Sequence, residues 1–419
     1  MQIKRIVVKN FKSFKELDIF PSKFNVLIGP NASGKSNFLS IFKFIRDIIN
    51  MGLSNAISLQ GGIDYLRNLY FGKDIKSTFF KIEIDSSSQI CGMKKIFDKV
   101  IKMRSVSFDT AFEIEYIEDA EEFRVIYDSL IQKFEFYETI NGTDVSIGTG
   151  ILEMFNNGNK IETNFINNTS FNITKDDIIP PLFVDVNYIS VNLNKTLFIE
   201  NQYNIPLPES VRKTLGNLSI YDLDPIQSRS ISLVTGRAVL EDNGENIAIV
   251  LRKILADDES RRRLFNYIHY LLPFVQDIEV KKFLDKHLQI QVKEKYAPDV
   301  LVPASLLSSG SVFLISIIIA LFFENKLITI FEEPGGRIHP YLISKIIEMM
   351  KDASNHIQIF LTTHNPEIVK YAGLENIFYL TRTKEGFSSI AHLSTRSEII
   401  QFMKNEIGIE ELFIQNLLS

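Results

Sequence analysis

Gly29-Pro30-Asn31-Ala32-Ser33-Gly34-Lys35-Ser36 carries every fixed position of a phosphate-binding loop. The chemistry follows from the residue types. Glycines let backbone N–H groups approach an anion, Lys35 adds a point charge for the β- and γ-phosphates, and the Ser36 hydroxyl can hold Mg²⁺. Asn37, next in the chain, is counted with the loop as a nucleotide contact. A second set of groups sits in Leu327–Pro334, an apolar β-branched run ending in Glu332 and Glu333. Glu332 is expected to hold the Mg²⁺ through its water shell, and Glu333 to orient and polarise the attacking water. Many such sites carry Asp at the first acid, so Glu332 brings one extra methylene. A third set is Ile357–Pro366, a buried strand ending in His364, whose expected partner is the γ-phosphate. A fourth is Leu307-Ser308-Ser309-Gly310-Ser311, a small-residue turn that opens the apolar run Val312 to Phe323. Such a turn caps a helix and also makes an anion site at its N-terminus.

These groups need elements that aim them. Phe24–Ile28 reads as a short buried strand before the phosphate loop, and Asn37–Ile45 as a helix after it. One helix, Pro340 to Ala353, separates the acidic strand from the His364 strand, which makes the two parallel neighbours in an open α/β sheet. Ligands of such sheets bind outside the carboxyl ends of the strands. Gly61–Leu69 reads as a turn and short helix, and Thr78–Ile84 alternates as a strand. Residues 86–106 read as a lysine-bearing excursion. Phe108–Tyr116, Phe123–Tyr127 and Gln132–Thr139 alternate again and predict an antiparallel sheet, with residues 140–175 continuing it or looping out. Residues 176–235 look irregular. Glu245–Phe274 predicts two helices, the second ended by Pro273, and Ile278–Phe283 and His287–Glu294 predict strands. No heptad pattern lasts for the roughly three to four repeats of a coiled coil.

The four chemical segments, in this order, resemble the ABC-type ATPase heads of the SMC, RecF and OLD group. The likeness extends to Ile3–Phe14 with its Asn-Phe-Lys-Ser-Phe element. It takes in Glu333-Pro334-Gly335-Gly336-Arg337-Ile338-His339-Pro340 and also Asn243–Arg252, which is similar to an element of RecF-like defence ATPases. It covers roughly residues 1–85 and 236–385. The resemblance implies an α/β fold, an ABC-type P-loop ATPase head with a mostly parallel core sheet, an antiparallel β-subdomain and a helical insertion, without a long coiled coil. The expected parts are residues 1–85, the N-terminal half of the head; 86–235, a β-rich insertion; 236–300, a helical subdomain; 301–395, the C-terminal half; and 396–419, a helical tail.

The resemblance also implies ATP and Mg²⁺ as ligands and a composite site in a homodimer or higher oligomer of heads. One subunit supplies Lys35, Ser36, Glu332, Glu333 and His364, and a second supplies Ser308 and Gly310. Ser309 and Ser311 stand where transporter relatives have Gly and Gln. Gln60, before Gly61-Gly62, is the candidate for the loop that carries a glutamine in this family. Residues 365–419 amount to about half of what an OLD-type nuclease domain needs, so no nuclease is expected in this chain. Two functions remain open. One is the sensor or regulator of an antiphage or toxin-type system with a separate effector. The other is a RecF-like repair clamp on duplex DNA.

Composition narrows the classes further. The chain has 419 residues, is 45% hydrophobic and has a formal net charge of −5, so a globally basic nucleic-acid surface is absent. The run Arg261-Arg262-Arg263 reads as a solvated helix face. A single cysteine, Cys91, excludes an intramolecular disulfide and a thiolate zinc cluster, and the six His lack H-x-x-x-H spacing. No signal-peptide pattern and no apolar run of spanning length occur. The expectation is a cytoplasmic protein with no membrane partner.

Overall fold

Strand and helix patterns in the sequence become elements largely where expected, but they assemble from distant parts of the chain. The computed structural model describes all residues except 69–75, 97–98, 118–121, 157–159, 179–191, 201–208, 337, 397–407, 416 and 419. Contacts divide the chain into two interleaved units. The first is Met1–Ser22, Ala32–Leu218 and Leu380–Ile390; the second is Lys23–Asn31, Ser219–Tyr379 and Ala391–Ser419.

The first unit is built on a largely antiparallel sheet. Its strands are β1 (Gln2–Phe11), β2 (Phe14–Ile19), β4 (Ser77–Ile96), β5 (Lys99–Ile117), β6 (Glu122–Ile140), β7 (Thr143–Asn156), β8 (Ile161–Asn167) and β17 (Ser388–His392). The order is β8-β7-β6-β5-β4-β1-β2-β17, and only the β2–β17 pair is parallel. Helices α1 (Lys35–Met51), α2 (Leu53–Leu59), α3 (Ile63–Leu66) and α4 (Glu209–Gly216) belong to this unit. Four buried rings knit α1 to the sheet: Phe80 lies 5.2 Å from Phe11, 5.3 Å from Phe44 and 5.1 Å from Phe112, centroid to centroid. Aromatic packing of this kind adds to the area burial of each ring.

One expectation is corrected here. Residues 86–106 are no excursion: β4 runs on to Ile96 and β5 begins at Lys99. The register shifts between Asp85 and Gln89 and again between Ile90 and Gly92. Such bulges break the period-two alternation from which a strand is read.

The second unit holds the parallel sheet: β3 (Phe24–Ile28), β9 (Ser219–Tyr221), β14 (Ile328–Glu332), β15 (Gln358–Thr363) and the start of β16 (Ile377–Arg382), ordered β16-β3-β15-β14-β9. A small antiparallel sheet joins β10 (Ser232–Leu233), β11 (Val275–Phe283), β12 (His287–Glu294) and β13 (Ala297–Pro303). Around them lie α5 (Ile247–Leu255), α6 (Asp258–Leu271), α7 (Ser309–Phe322), α8 (Pro340–Ala353), α9 (Pro366–Ala372) and α10 (Ile409–Ile414). The start signals are local. Asp257 caps α6 by accepting from the Ser260 N–H, and Pro340 opens α8 where a missing N–H costs nothing. Ser311 to Leu321 of α7 are all buried, which explains a helix apolar on every side. Of the expected C-terminal tail, residues 397–407 lie outside the described residues.

Candidate nucleotide site

The carboxyl ends of three neighbouring parallel strands are level in the second unit. Thr363 of β15 pairs with Ile28 of β3, and Glu332 of β14 pairs with Thr362 of β15. The first three loop residues, Gly29 to Asn31, therefore leave the same edge from which Glu333 and His364 emerge. β3 and β15 are buried along their whole length, so the edge is held rigidly. This is where an open parallel sheet binds its ligand.

Glu333 is set by its backbone and by His364. Its φ is 47°, a left-handed conformation rare outside glycine, and its N–H donates to the Thr362 carbonyl at 3.0 Å. The carboxylate Oε2 accepts the His364 backbone N–H at 3.1 Å and lies 2.8 Å from His364 Nδ1. The Nδ1 side of the ring is thus directed at Glu333. The Glu333 side chain is 32% exposed and the His364 side chain 63%, so water reaches both. Asn365 completes the turn. Its N–H donates to Thr363 Oγ1 at 2.9 Å, its Oδ1 caps α9 at the Glu367 N–H at 2.9 Å, and its Nδ2 donates to the Gly335 carbonyl at 3.2 Å. It ties the His364 turn to the segment after Glu333. Asx-turn chemistry after a strand was the available signal for this role, and sequence reasoning passed over it.

The rest of the phosphate loop belongs to the first unit. Ala32 has φ 62° and Gly34 φ 114°, and Phe38 N–H to Gly34 carbonyl, 2.9 Å, starts the helix ladder. Lys35 and Ser36 therefore stand in the first turn of α1, at its positive end. Asn37 donates its side-chain amide to Ser13 Oγ at 2.7 Å. Gln60 ends α2, followed by Gly61 at φ 97° and Gly62 at φ 94°. In the second unit, Ser308 is exposed and caps α7, accepting from the Ser311 N–H at 3.3 Å, with Gly310 in the same turn. Arg337 lies outside the described residues.

Among the described residues, no group of three or more His, Cys, Asp or Glu side chains could hold a metal by itself.

The family described as "AAA domain, putative AbiEii toxin, Type IV TA system" matches residues 24–136 and 194–370. The chain belongs to this family. It is similar to Endonuclease GajA of Bacillus cereus (strain VD045), 22% identical over 378 residues, covering 88% of this chain and 56% of that protein. It is also similar to the chromosome partition protein Smc of Methanocaldococcus jannaschii, 46% identical over 64 residues, covering 15% of this chain and 6% of that protein. The chain thus spans about half of the first relative and a small part of the second. A crystal structure of an SMC head bound to the C-winged helix domain of ScpA shares the fold, with TM-score 0.51 at 16% identity, covering 96% of this chain and all of that one. Together these make the chain an SMC/RecF/OLD-like ATPase head of ABC-type α/β fold. No helix among the described residues is long and apolar enough to cross a membrane.

Proposed function

We propose that this chain binds and hydrolyses ATP with Mg²⁺ as the sensor or regulator subunit of a multi-component antiphage or toxin-type system. The effector, a nuclease or toxin, is a separate chain. The hydrolytic part is carried by one observation: Glu333 and His364, hydrogen-bonded to each other, leave the same sheet edge as the strand that opens the phosphate loop.

Each residue has a stated task. Gly29, Pro30, Asn31, Ala32, Ser33, Gly34 and Asn37 shape and line the loop, and Lys35 neutralises charge on the β- and γ-phosphates. Ser36 and Glu332 are the oxygen groups suited to Mg²⁺, which when bound offsets charge developing on the phosphates. Glu333 positions the attacking water and accepts its proton. His364 fixes the Glu333 carboxylate and offers its second ring nitrogen to the γ-phosphate. Ser308 and Gly310 complete the site of a neighbouring subunit, so the working unit is a homodimer or larger, located in the cytoplasm. The toxin-type setting is supported by the description of the matching family, a putative AbiEii toxin of a type IV TA system.

Phosphate release with and without Mg²⁺ tests the first part. Phage plating on cells carrying this gene with its chromosomal neighbours, against cells carrying each alone, tests the second. Protection by this chain alone would remove the separate effector. ATP-dependent duplex binding with a steep salt slope would favour the repair clamp instead.

A further inference from the structure

We propose that the β16–β17 hairpin pre-shapes the phosphate loop, with Ser388 and Arg382 as positioning residues for nucleotide binding. A loop that points successive N–H groups at an anion must turn its carbonyls outward. Outward carbonyls need donors of their own, and a buried one such as that of Ser33 must find its donor in the protein. The hairpin supplies two. Ser388 Oγ donates to the Ser33 carbonyl at 2.6 Å, and Arg382 Nε donates to the Ala32 carbonyl at 2.7 Å. These donors lie about 350 residues beyond their acceptors in the chain, yet all belong to the first unit.

The direction of the network is fixed by counting protons. Ser388 has one hydroxyl proton and gives it to Ser33. Its contact with Ser13 Oγ at 2.8 Å must then be a bond donated by Ser13. Ser13 Oγ in turn accepts the Asn37 amide at 2.7 Å. The result is a one-way chain from Asn37 in the first turn of α1, through Ser13 and Ser388, to the loop carbonyl. Ser13, Ser33 and Ser388 are all at least 97% buried, since their exposures are 3%, 1% and 3%. The Ser388 N–H also donates to the Ser13 carbonyl at 2.7 Å, so the hydroxyls are held by backbone on both sides.

Two further features require this support. A Cβ on Gly34 would lie 2.1 Å from Ser388 Oγ, so the hydroxyl fills the space that a glycine leaves open. Ala32 holds φ 62° without being glycine, and the Arg382 bond lands on its carbonyl. Arg382 is itself fixed by a second bond, Nη1 donating to the Gly386 carbonyl at 2.7 Å, within the hairpin turn. The anion cradle is thus formed before ligand arrives, which lowers the ordering cost of binding.

The strut presupposes that Gly29–Ser36 binds ATP, and the experiment separates the two. Equilibrium binding of a fluorescent ATP analogue, ATPase kinetics and unliganded melting temperature are measured for wild type, Lys35→Ala, Ser388→Ala, Ser388→Thr and Arg382→Gln. Ser388→Ala should weaken binding about tenfold by orphaning the buried Ser33 carbonyl, and Arg382→Gln by roughly two- to threefold, because water can replace the guanidinium at the exposed Ala32. KM should rise with kcat nearly unchanged, because neither residue touches reacting atoms. Ser388→Thr, which keeps the hydroxyl, should recover most of the affinity. Should Ser388→Ala fail to fold, the exposed Arg382→Gln still tests the strut through its smaller loss of affinity. Wild-type affinity in both variants overturns the strut while Lys35→Ala still abolishes binding. Absence of binding by the wild-type protein overturns the loop assignment and the strut together.

Discussion

His364 grips a single oxygen of Glu333 twice, through its backbone N–H at 3.1 Å and through Nδ1 at 2.8 Å. The double contact holds Oε2 and leaves Glu333 Oε1 outside this grip. A general base within reach of water must be oriented before its basicity matters. The left-handed backbone of Glu333 is part of the same arrangement, since it turns the side chain back toward β15.

Glu333→Gln is expected to keep ATP binding and lose multi-turnover phosphate release. The amide oxygen can still accept from His364, but it cannot take a proton from water. The variant should accumulate as an ATP-bound pair of heads, seen by light scattering. Turnover at the wild-type rate would move the role of base to Glu332. His364→Ala should lower kcat by roughly 10- to 100-fold, the usual span of one acid–base or orienting group, with ATP affinity little changed.

Lys35→Ala should abolish ATP binding. The ammonium group makes charge-assisted hydrogen bonds to phosphate, and loss of such bonds costs more than loss of neutral ones. A fluorescent ATP analogue titrated against both proteins gives the answer. Equal affinities would remove the phosphate loop from the site.

Ser308→Arg should block ATP-dependent dimerisation without unfolding the chain. Ser308 is exposed at the N-terminus of α7, where its hydroxyl bonds Ser311 of the same turn, so a larger side chain there meets solvent in the single subunit. Light scattering at several protein concentrations, with and without ATP, reads the effect. Dimerisation as in wild type would rule out the composite site.

Stability should fall as pH rises from about 5 to 8. Burial pushes Glu200 up to about 7 from the 4.5 of an exposed glutamate, against the opposing N–H bonds from Leu197 and Leu53. Burial likewise raises Asp128, whose Oδ2 accepts the Phe198 N–H at 2.6 Å. A carboxyl raised in the folded state binds more protons folded than unfolded. Its contribution is complete below 4.5 and is lost as pH climbs through about 7. Glu200→Gln, uncharged at every pH, should flatten the fall in melting temperature while leaving the part due to Asp128. An unchanged slope would place the titration elsewhere.

Short-range features were legible without the structure. The phosphate loop, the strand Phe24–Ile28 and the helix Pro340–Ala353 are written in residues that act on their immediate neighbours: glycines that free the backbone, an unbroken apolar run, a proline at a helix start. The order of Glu332, Glu333 and His364 after such strands also implied a shared sheet edge, and the register of β14, β15 and β3 bears that out. The continuity of β4 and β5 through residues 86–106 was not legible, because bulges break alternation locally while the ladder is kept by partners far along the chain. Nor was the grip of His364 on Glu333, which depends on a left-handed φ at a glutamate. The donors for the Ala32 and Ser33 carbonyls come from Arg382 and Ser388, which local pattern does not single out. Sequence determines what each segment can do with its neighbours; strand register decides which distant side chain meets which backbone oxygen, and only the folded chain sets that register.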